Sequence, residues 1–139
     1  MCGKEQTSEL ENPFPVEADP LDDIISRLGY QLTGAQRAQC GRSRQDMSGK
    51  SAMNRLIQGD VGSGKTIIAF LAMILAAGNH LQSALMVPTE VLANQHYEAL
   101  TRLTIQQGLP IQAVLLTGSM TAKQKREVYE RSRRMRRMW

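Results

Sequence analysis

This chain of 139 residues has few cysteines, few aromatic side chains and no long apolar run. Its two cysteines, Cys2 and Cys40, have neither the spacing of a metal site nor the partners of a disulfide framework, as is typical of a reducing cytosol. No apolar segment reaches the roughly 18–20 residues of a membrane-spanning helix. The first thirty residues are acidic and polar, unlike a secretory signal. These absences predict a cytoplasmic protein that does not associate with membranes.

Basic charge is concentrated at one end of the sequence. Residues 123–139 contain eight of the 17 Lys and Arg residues but only two of the 13 Asp and Glu residues. That segment carries a net charge of +6 and the remainder carries −2, which together give the overall +4. Because the excess belongs to the tail, the high isoelectric point does not indicate that the rest of the chain binds nucleic acid.

Residues 59–66 match G-x-x-x-x-G-K-[ST], the pattern of a phosphate-binding P-loop. Its glycines let the backbone wrap a triphosphate so that N–H groups point at phosphate oxygens. We expect Lys65 to reach the β- and γ-phosphates and the Thr66 hydroxyl to ligate Mg²⁺, which makes these two the predicted catalytic residues. The alternative is a glycine turn that binds nothing. The predicted nucleotide-binding residues here are Gly59, Asp60, Val61, Gly62, Ser63, Gly64, Lys65 and Thr66.

Apolar segments alternate with helical patterns along the chain. Short apolar runs predict three strands, at 53–58, 83–87 and 111–116. Helical spacing and capping residues predict five helices, at 21–28, 34–47, 66–77, 90–106 and 121–130. This alternation predicts an α/β fold with a parallel sheet of about three strands flanked by helices. Ligands bind beyond the carboxyl ends of such strands, where the P-loop, 88–90 and 117–119 are expected to lie.

Four stretches resemble the first motor domain of superfamily 2 helicases, specifically the RecG-type ATP-dependent DNA helicases. In order, they are a Gln-bearing adenine-recognition motif, a Walker A segment, motif Ia and motif Ib, at 32–36, 53–66, 87–96 and 115–119. The resemblance implies an incomplete RecA-like P-loop NTPase domain over 21–130, with ATP and Mg²⁺ as cofactors. Residues 1–20 are then a flexible acidic lead-in and 131–139 a basic tail.

The resemblance also implies roles for residues outside the P-loop. Gln36 would pair with adenine and select ATP over GTP. Thr89, Thr117 and Ser119 would bind DNA phosphates, contacts that position a strand without reading its sequence. Taken without the resemblance, Gln36 is a solvated helix residue, and Thr89 and Ser119 are helix caps. Glu90 equally fits a first-turn complement to the helix dipole.

Other parts of such a motor have no counterpart in the 139 residues. Hydrolysis in this family uses a D-E-x-H box and an arginine finger from a second motor domain, and a wedge domain binds the DNA fork. None of these occurs here. We therefore expect a fragment that binds nucleotide at most, from a protein that couples ATP hydrolysis to branched-DNA remodelling in recombination and repair. The alternatives are a nucleotide- or nucleic-acid-binding module without turnover and a non-functional truncated product.

Two segments depart from the family pattern in the same way. Residues 39–45 offer no apolar face where an amphipathic helix is expected, and five of the nine residues 131–139 are arginine. Codons can be chosen for 39–45 that, read one base earlier, encode Val-Arg-Glu-Ile-Glu-Ala after an Ala. A similar shift converts the tail into Ile-Ala-Ala-Asp-Ala-Ala-Asp-Val. We hypothesise that both segments are frameshift products, which the nucleotide sequence tests.

Overall fold

The computed structural model describes residues 21–49, 52–60 and 62–137. The predicted lead-in, 1–20, lies outside these residues. Within them, the chain forms five α-helices: α1 (Leu21–Arg27), α2 (Gly34–Met47), α3 (Lys65–Gly78), α4 (Glu90–Gln106) and α5 (Ala122–Arg137). All five predicted helices are confirmed, although α5 continues past the expected end at residue 130. No described helix has both the length and the apolar character needed to cross a membrane.

The predicted parallel sheet is wrong for the part of the chain that the structure describes, because no described residue lies in a strand. The three apolar segments, 53–58, 83–87 and 111–116, have no regular secondary structure. Strands are stabilised by ladders of backbone hydrogen bonds to neighbouring strands, and no such ladder joins these segments. None of their apolar side chains is buried: they are half-buried or exposed, and Leu56 is 80% and Met86 93% accessible. The described fold is helical rather than α/β.

The chain divides into two compact units, 1–81 and 82–139, here called the N-terminal and C-terminal units. In the N-terminal unit, α1 and α2 both pack against α3. Helix α3 is apolar on most of its circumference, and its side chains supply most of the buried residues. The four most completely buried large side chains all lie in this unit, and they are Ile24, Leu71, Ile74 and Leu75.

Helix α2 packs onto α3 although its sequence is polar. Its two buried residues are Cys40 and Ser43. A cavity of about 10 Å³, near the size of one water, lies beside them against Leu71 and Leu75 of α3. Because small side chains occupy the buried face of α2, the contact between the two helices is incompletely filled.

The C-terminal unit contains α4 and α5. Thr89 begins α4 by accepting the backbone N–H of Leu92 on its hydroxyl, at 3.2 Å, which confirms its predicted capping role. The buried apolar residues of α4 are Leu100 and Leu103. Helix α5 contains all eight Lys and Arg residues of the segment 123–139. The side-chain amide of Gln82 donates to the carbonyl oxygen of Ser132 in this helix, at 2.9 Å.

Candidate functional sites

The P-loop leads directly into helix α3, as predicted. Gly64 is the N-cap of α3 and adopts the left-handed conformation, with φ of 78°, as does Gly62, with φ of 83°. No side chain caps this helix. The first N–H groups of a helix have no acceptor within the helix, and the helix dipole makes that end attractive to anions. The start of α3 is therefore suited to a phosphate group.

Two of the loop glycines, Gly59 and Gly64, have close neighbours where a side chain would begin, and Gly64 is also left-handed. A Cβ on Gly59 would lie 2.8 Å from the Ser63 hydroxyl oxygen. A Cβ on Gly64 would overlap the side-chain nitrogen of Gln36. A larger residue at either position would displace the Ser63 or the Gln36 side chain from its present place. Val61, which also belongs to the predicted nucleotide site, lies outside the described residues.

The Lys65 side chain is hydrogen-bonded to the first residues of the P-loop. Its Nζ donates to the carbonyl oxygens of Gly59 and Asp60, both at 2.6 Å, and lies 3.3 Å from the hydroxyl of Ser63. The P-loop backbone thus holds this ammonium group close to the end of α3 where an anion would bind. Thr66 follows in the first turn of the same helix and is half-buried.

Gln36 is brought against the P-loop, 27 residues further along the chain. Its Nε2 donates to the Ser63 carbonyl oxygen at 2.9 Å, and its Oε1 accepts the backbone N–H of Thr33 at 2.8 Å. The hydroxyl of Thr33 accepts the Gln36 N–H in return, which completes a capping box at the start of α2. Both ends of the amide are engaged, so adenine recognition by Gln36 stays a prediction.

A salt bridge that the sequence did not indicate fixes the segment before the P-loop. Arg55 donates through Nε and a terminal nitrogen to one carboxylate oxygen of Asp46, at 2.6 and 2.5 Å. Asp46 lies in the last turn of α2, so the pair ties residues 52–60 to that helix. The hydrogen bond from Arg55 holds the pKa of Asp46 below its usual value.

The three residues predicted to contact DNA lie in the C-terminal unit, and Glu90 brings them together. The Glu90 carboxylate accepts the backbone N–H of Ser119 at 2.6 Å, which holds the 117–119 turn beside Thr89 at the start of α4. The hydroxyl oxygens of Thr117 and Ser119 lie 3.2 Å apart in a hydrogen bond. Sequence reasoning interpreted Glu90 only as a complement to the helix dipole, and no local pattern links it to a turn 29 residues away.

The surroundings of Glu90 favour its charged form. Hydrogen bonds from the side chain and the backbone of Ser119 hold the pKa of Glu90 below its usual value, with a smaller contribution from the positive charge of Lys125. The Lys125 ammonium itself donates to the carbonyl oxygen of Gly118 at 3.0 Å. The turn is therefore held from both sides, by a carboxylate on α4 and by an ammonium group on α5.

Clustered metal-binding side chains are absent from the described residues. Among them, no group of three or more His, Cys, Asp or Glu side chains converges. A Mg²⁺ ion in the P-loop would therefore depend on the Thr66 hydroxyl together with phosphate oxygens and water, which is how this ion is commonly bound beside nucleotides.

Comparison with known proteins places the chain in a family. The model of one family, described as DEAD/DEAH box helicase, matches residues 42–136. This chain belongs to the DEAD/DEAH box helicase family. It is 41% identical over 129 residues to the ATP-dependent DNA helicase RecG of Aquifex aeolicus, a match that covers 91% of this chain and 16% of the relative. The RecG of Streptococcus pneumoniae is 50% identical over 103 residues, covering 74% of this chain and 15% of the relative.

These matches confirm the resemblance to RecG-type helicases. A third relative, the RecG of Staphylococcus aureus, is 39% identical over 126 residues, which are 91% of this chain and 18% of the relative. The chain thus spans less than a fifth of the length of these relatives. The matches therefore establish the family of this chain, whereas the helicase activity named for the longer relatives belongs to those proteins.

Proposed function

We propose that this chain is the ATP-binding portion of a RecG-like DNA helicase or translocase. The observation that supports this most directly is the start of α3, where Lys65 follows a left-handed Gly64 with no side-chain cap. That arrangement presents an ammonium group and unpaired helix N–H groups to a phosphate. The family membership and the RecG relatives agree with it.

In this proposal the nucleotide lies in the P-loop, with Gly59 to Thr66 around its phosphates. Lys65 moves from the loop carbonyls to the β- and γ-phosphates, and Thr66 holds Mg²⁺. When bound, the ion neutralises charge on the phosphates. Gln36 leaves Ser63 to pair with adenine. The loop glycines and Ser63 are exposed or half-buried, so a ligand can reach them.

The same proposal assigns DNA contact to Thr89, Thr117 and Ser119. Hydroxyl groups near a helix start can donate to phosphate oxygens, and such contacts carry no base information. Within the longer protein, ATP hydrolysis would be coupled to remodelling of branched DNA in recombination and repair. The 139 residues contain no D-E-x-H box, so we expect this chain to bind nucleotide without efficient turnover. A cytoplasmic location completes the proposal.

Titration of the purified chain with Mg-ATP tests the nucleotide site. We expect saturable binding that weakens by at least about tenfold in Lys65→Ala, because the variant loses the only cation in the loop. Lys125→Ala is the matched control, since it removes a lysine from the other unit. Binding that is equal in wild type and Lys65→Ala would contradict the proposal. A loss of preference for ATP over GTP in Gln36→Ala would support the adenine contact.

A second candidate function is nucleic-acid binding without nucleotide turnover. It is favoured by α5, whose exposed side chains include Lys123, Arg126, Arg131 and Arg133. Lys and Arg side chains bind phosphates regardless of sequence, with an affinity that falls steeply as salt rises. Removal of residues 131–139 should then abolish most of the salt-dependent DNA binding. If binding persists after this removal, the tail is not the nucleic-acid contact.

A further inference from the structure

The turn that carries motif Ib is attached to the helix that carries motif Ia by a single side chain. Glu90 Oε1 accepts the Ser119 N–H at 2.6 Å, one of the shortest side-chain hydrogen bonds of the C-terminal unit. Its fit to the turn is close, because a Cβ on Gly118 would lie 3.1 Å from the same oxygen. Thr89, the residue before Glu90, is fixed independently as the N-cap of α4.

The contact between Glu90 and Ser119 determines which polar groups of the turn are available to a phosphate. The Ser119 N–H is already bound to Glu90, so it is not available to a phosphate. The hydroxyl groups of Thr117 and Ser119 bond to each other, and the Ser119 side chain also hydrogen-bonds to the Glu90 carboxylate, so a phosphate would take the place of one of these bonds. The Thr89 hydroxyl accepts the Leu92 N–H and likewise keeps its own hydrogen for another acceptor. The surface thus keeps the Thr89 hydroxyl as a donor, beside two hydroxyl groups whose position Glu90 sets.

We infer that Glu90 is a positioning residue for DNA: its carboxylate holds the 117–119 turn so that the hydroxyls of Thr89, Thr117 and Ser119 form one phosphate-binding surface. The inference rests on the proposed DNA contact of these three residues. Glu90 itself does not touch DNA. A carboxylate repels phosphate, so Glu90 is not expected to bind DNA directly. It lies at this surface because it accepts hydrogen bonds from the turn.

Two substitutions separate positioning from charge. Glu90→Gln removes the negative charge but keeps a side-chain oxygen that can accept the Ser119 N–H. Glu90→Ala removes both. If Glu90 acted only as a repulsive charge, both variants would bind DNA more tightly than wild type. If it positions the turn, Glu90→Ala binds more weakly despite its more favourable charge, and Glu90→Gln does not.

The experiment measures binding of a single-stranded oligonucleotide to the full chain across a salt series. We expect Glu90→Ala to lose affinity on the order of tenfold, the size of one or two neutral hydrogen bonds. The slope of affinity against salt should stay at the wild-type value, because that slope reports Lys and Arg contacts rather than hydroxyl donors. Glu98→Ala, which removes an exposed carboxylate from the same helix, should not weaken binding.

Amide hydrogen exchange at Ser119 reports the contact without DNA. Exchange should be faster in Glu90→Ala and close to wild type in Glu90→Gln. Equal or tighter DNA binding by Glu90→Ala, or unchanged exchange at Ser119, would overturn the inference. If the wild-type chain binds no DNA at all, the proposed DNA contact fails and the positioning role fails with it. If instead wild type and Glu90→Ala bind DNA equally, the DNA contact stands and only the positioning role fails.

Discussion

The side-chain nitrogen of Gln36 donates to the carbonyl oxygen of Ser63 at 2.9 Å, so the first turn of α2 is bonded to the P-loop. The other end of the same amide accepts the Thr33 N–H in a capping box. One side chain therefore stabilises a helix start and fixes the loop next to it. In a RecG-like motor, the bond between Gln36 and Ser63 would have to break before Gln36 could pair with a nucleotide.

Gln36→Ala should lower the free energy of unfolding by about 1 kcal/mol, because it removes half of the capping box and the bond to Ser63. Gln36→Glu is the matched control. Its carboxylate still accepts the Thr33 N–H but cannot donate to Ser63, so it should lose only the loop contact. Urea denaturation followed by circular dichroism measures both variants. An unchanged midpoint in Gln36→Ala would contradict the hydrogen bonds described here.

Alanine substitutions at the loop glycines should differ in severity. Gly62→Ala places a Cβ in open space but in a left-handed conformation, which costs about 1–2 kcal/mol. Gly64→Ala adds an overlap with Gln36 to the same conformational cost, so it should destabilise the chain more. Gly34→Ala, in the first turn of α2 with no close neighbour, is the control and should not destabilise. Thermal unfolding of the three variants gives the order directly, and equal effects of Gly62→Ala and Gly64→Ala would argue against the contact.

The Asp46–Arg55 salt bridge should make stability fall in acid. Since the folded-state pKa of Asp46 lies below its ordinary value, the pair stabilises the chain above about pH 4, the pKa of an unfolded aspartate. This contribution is lost as pH falls through the lower folded-state pKa. Wild type should therefore lose more stability than Asp46→Asn between pH 6 and pH 3, measured as the shift in Tm. Glu98→Gln controls for general loss of carboxylate charge, and parallel curves for wild type and Asp46→Asn would refute the assignment.

Apolar substitutions on the buried face of α2 should stabilise the chain. The Ser43 hydroxyl is buried and finds no hydrogen-bond partner among the described residues, and a cavity of about 10 Å³ lies beside it. Ser43→Val replaces the unpaired hydroxyl with two methyl groups, so we expect a gain of about 1 kcal/mol and a rise in Tm of a few degrees. Ser48→Val is the control: that hydroxyl donates to the Arg44 carbonyl at 2.8 Å at the end of α2. A lower Tm for Ser43→Val would contradict this account.

This substitution bears on the frameshift hypothesis. In the shifted reading of 39–45, the Val and Ile codons fall at positions 40 and 43, the two positions that α2 buries. The residues present at these positions, Cys40 and Ser43, are smaller than Val and Ile, and Ser43 is also polar. An apolar pair at these positions is what packing against α3 favours. The hypothesis remains a prediction until the codons are read.

The helices could be predicted from the sequence because their signals are local. Thr33 and Thr89 cap α2 and α4 at the predicted positions, and the apolar residues of α3 recur within one helix. The sheet could not be predicted correctly, since a strand is stable only if a distant segment pairs with it. Apolar runs such as 83–87 therefore indicated strands that the described fold does not contain. The contacts of Gln36 with Ser63 and of Glu90 with Ser119 span 27 and 29 residues, beyond any local pattern.

Burial at the α2–α3 contact also affects chemical reactivity. The Cys40 side chain is 6% exposed, and desolvation raises the pKa of its thiol, so little of the reactive thiolate is present at neutral pH. Alkylating reagents can therefore modify Cys40 only when α2 separates from α3. With Cys2 replaced by serine, the rate of Cys40 labelling measures how often α2 separates from α3, and it requires no introduced cysteine.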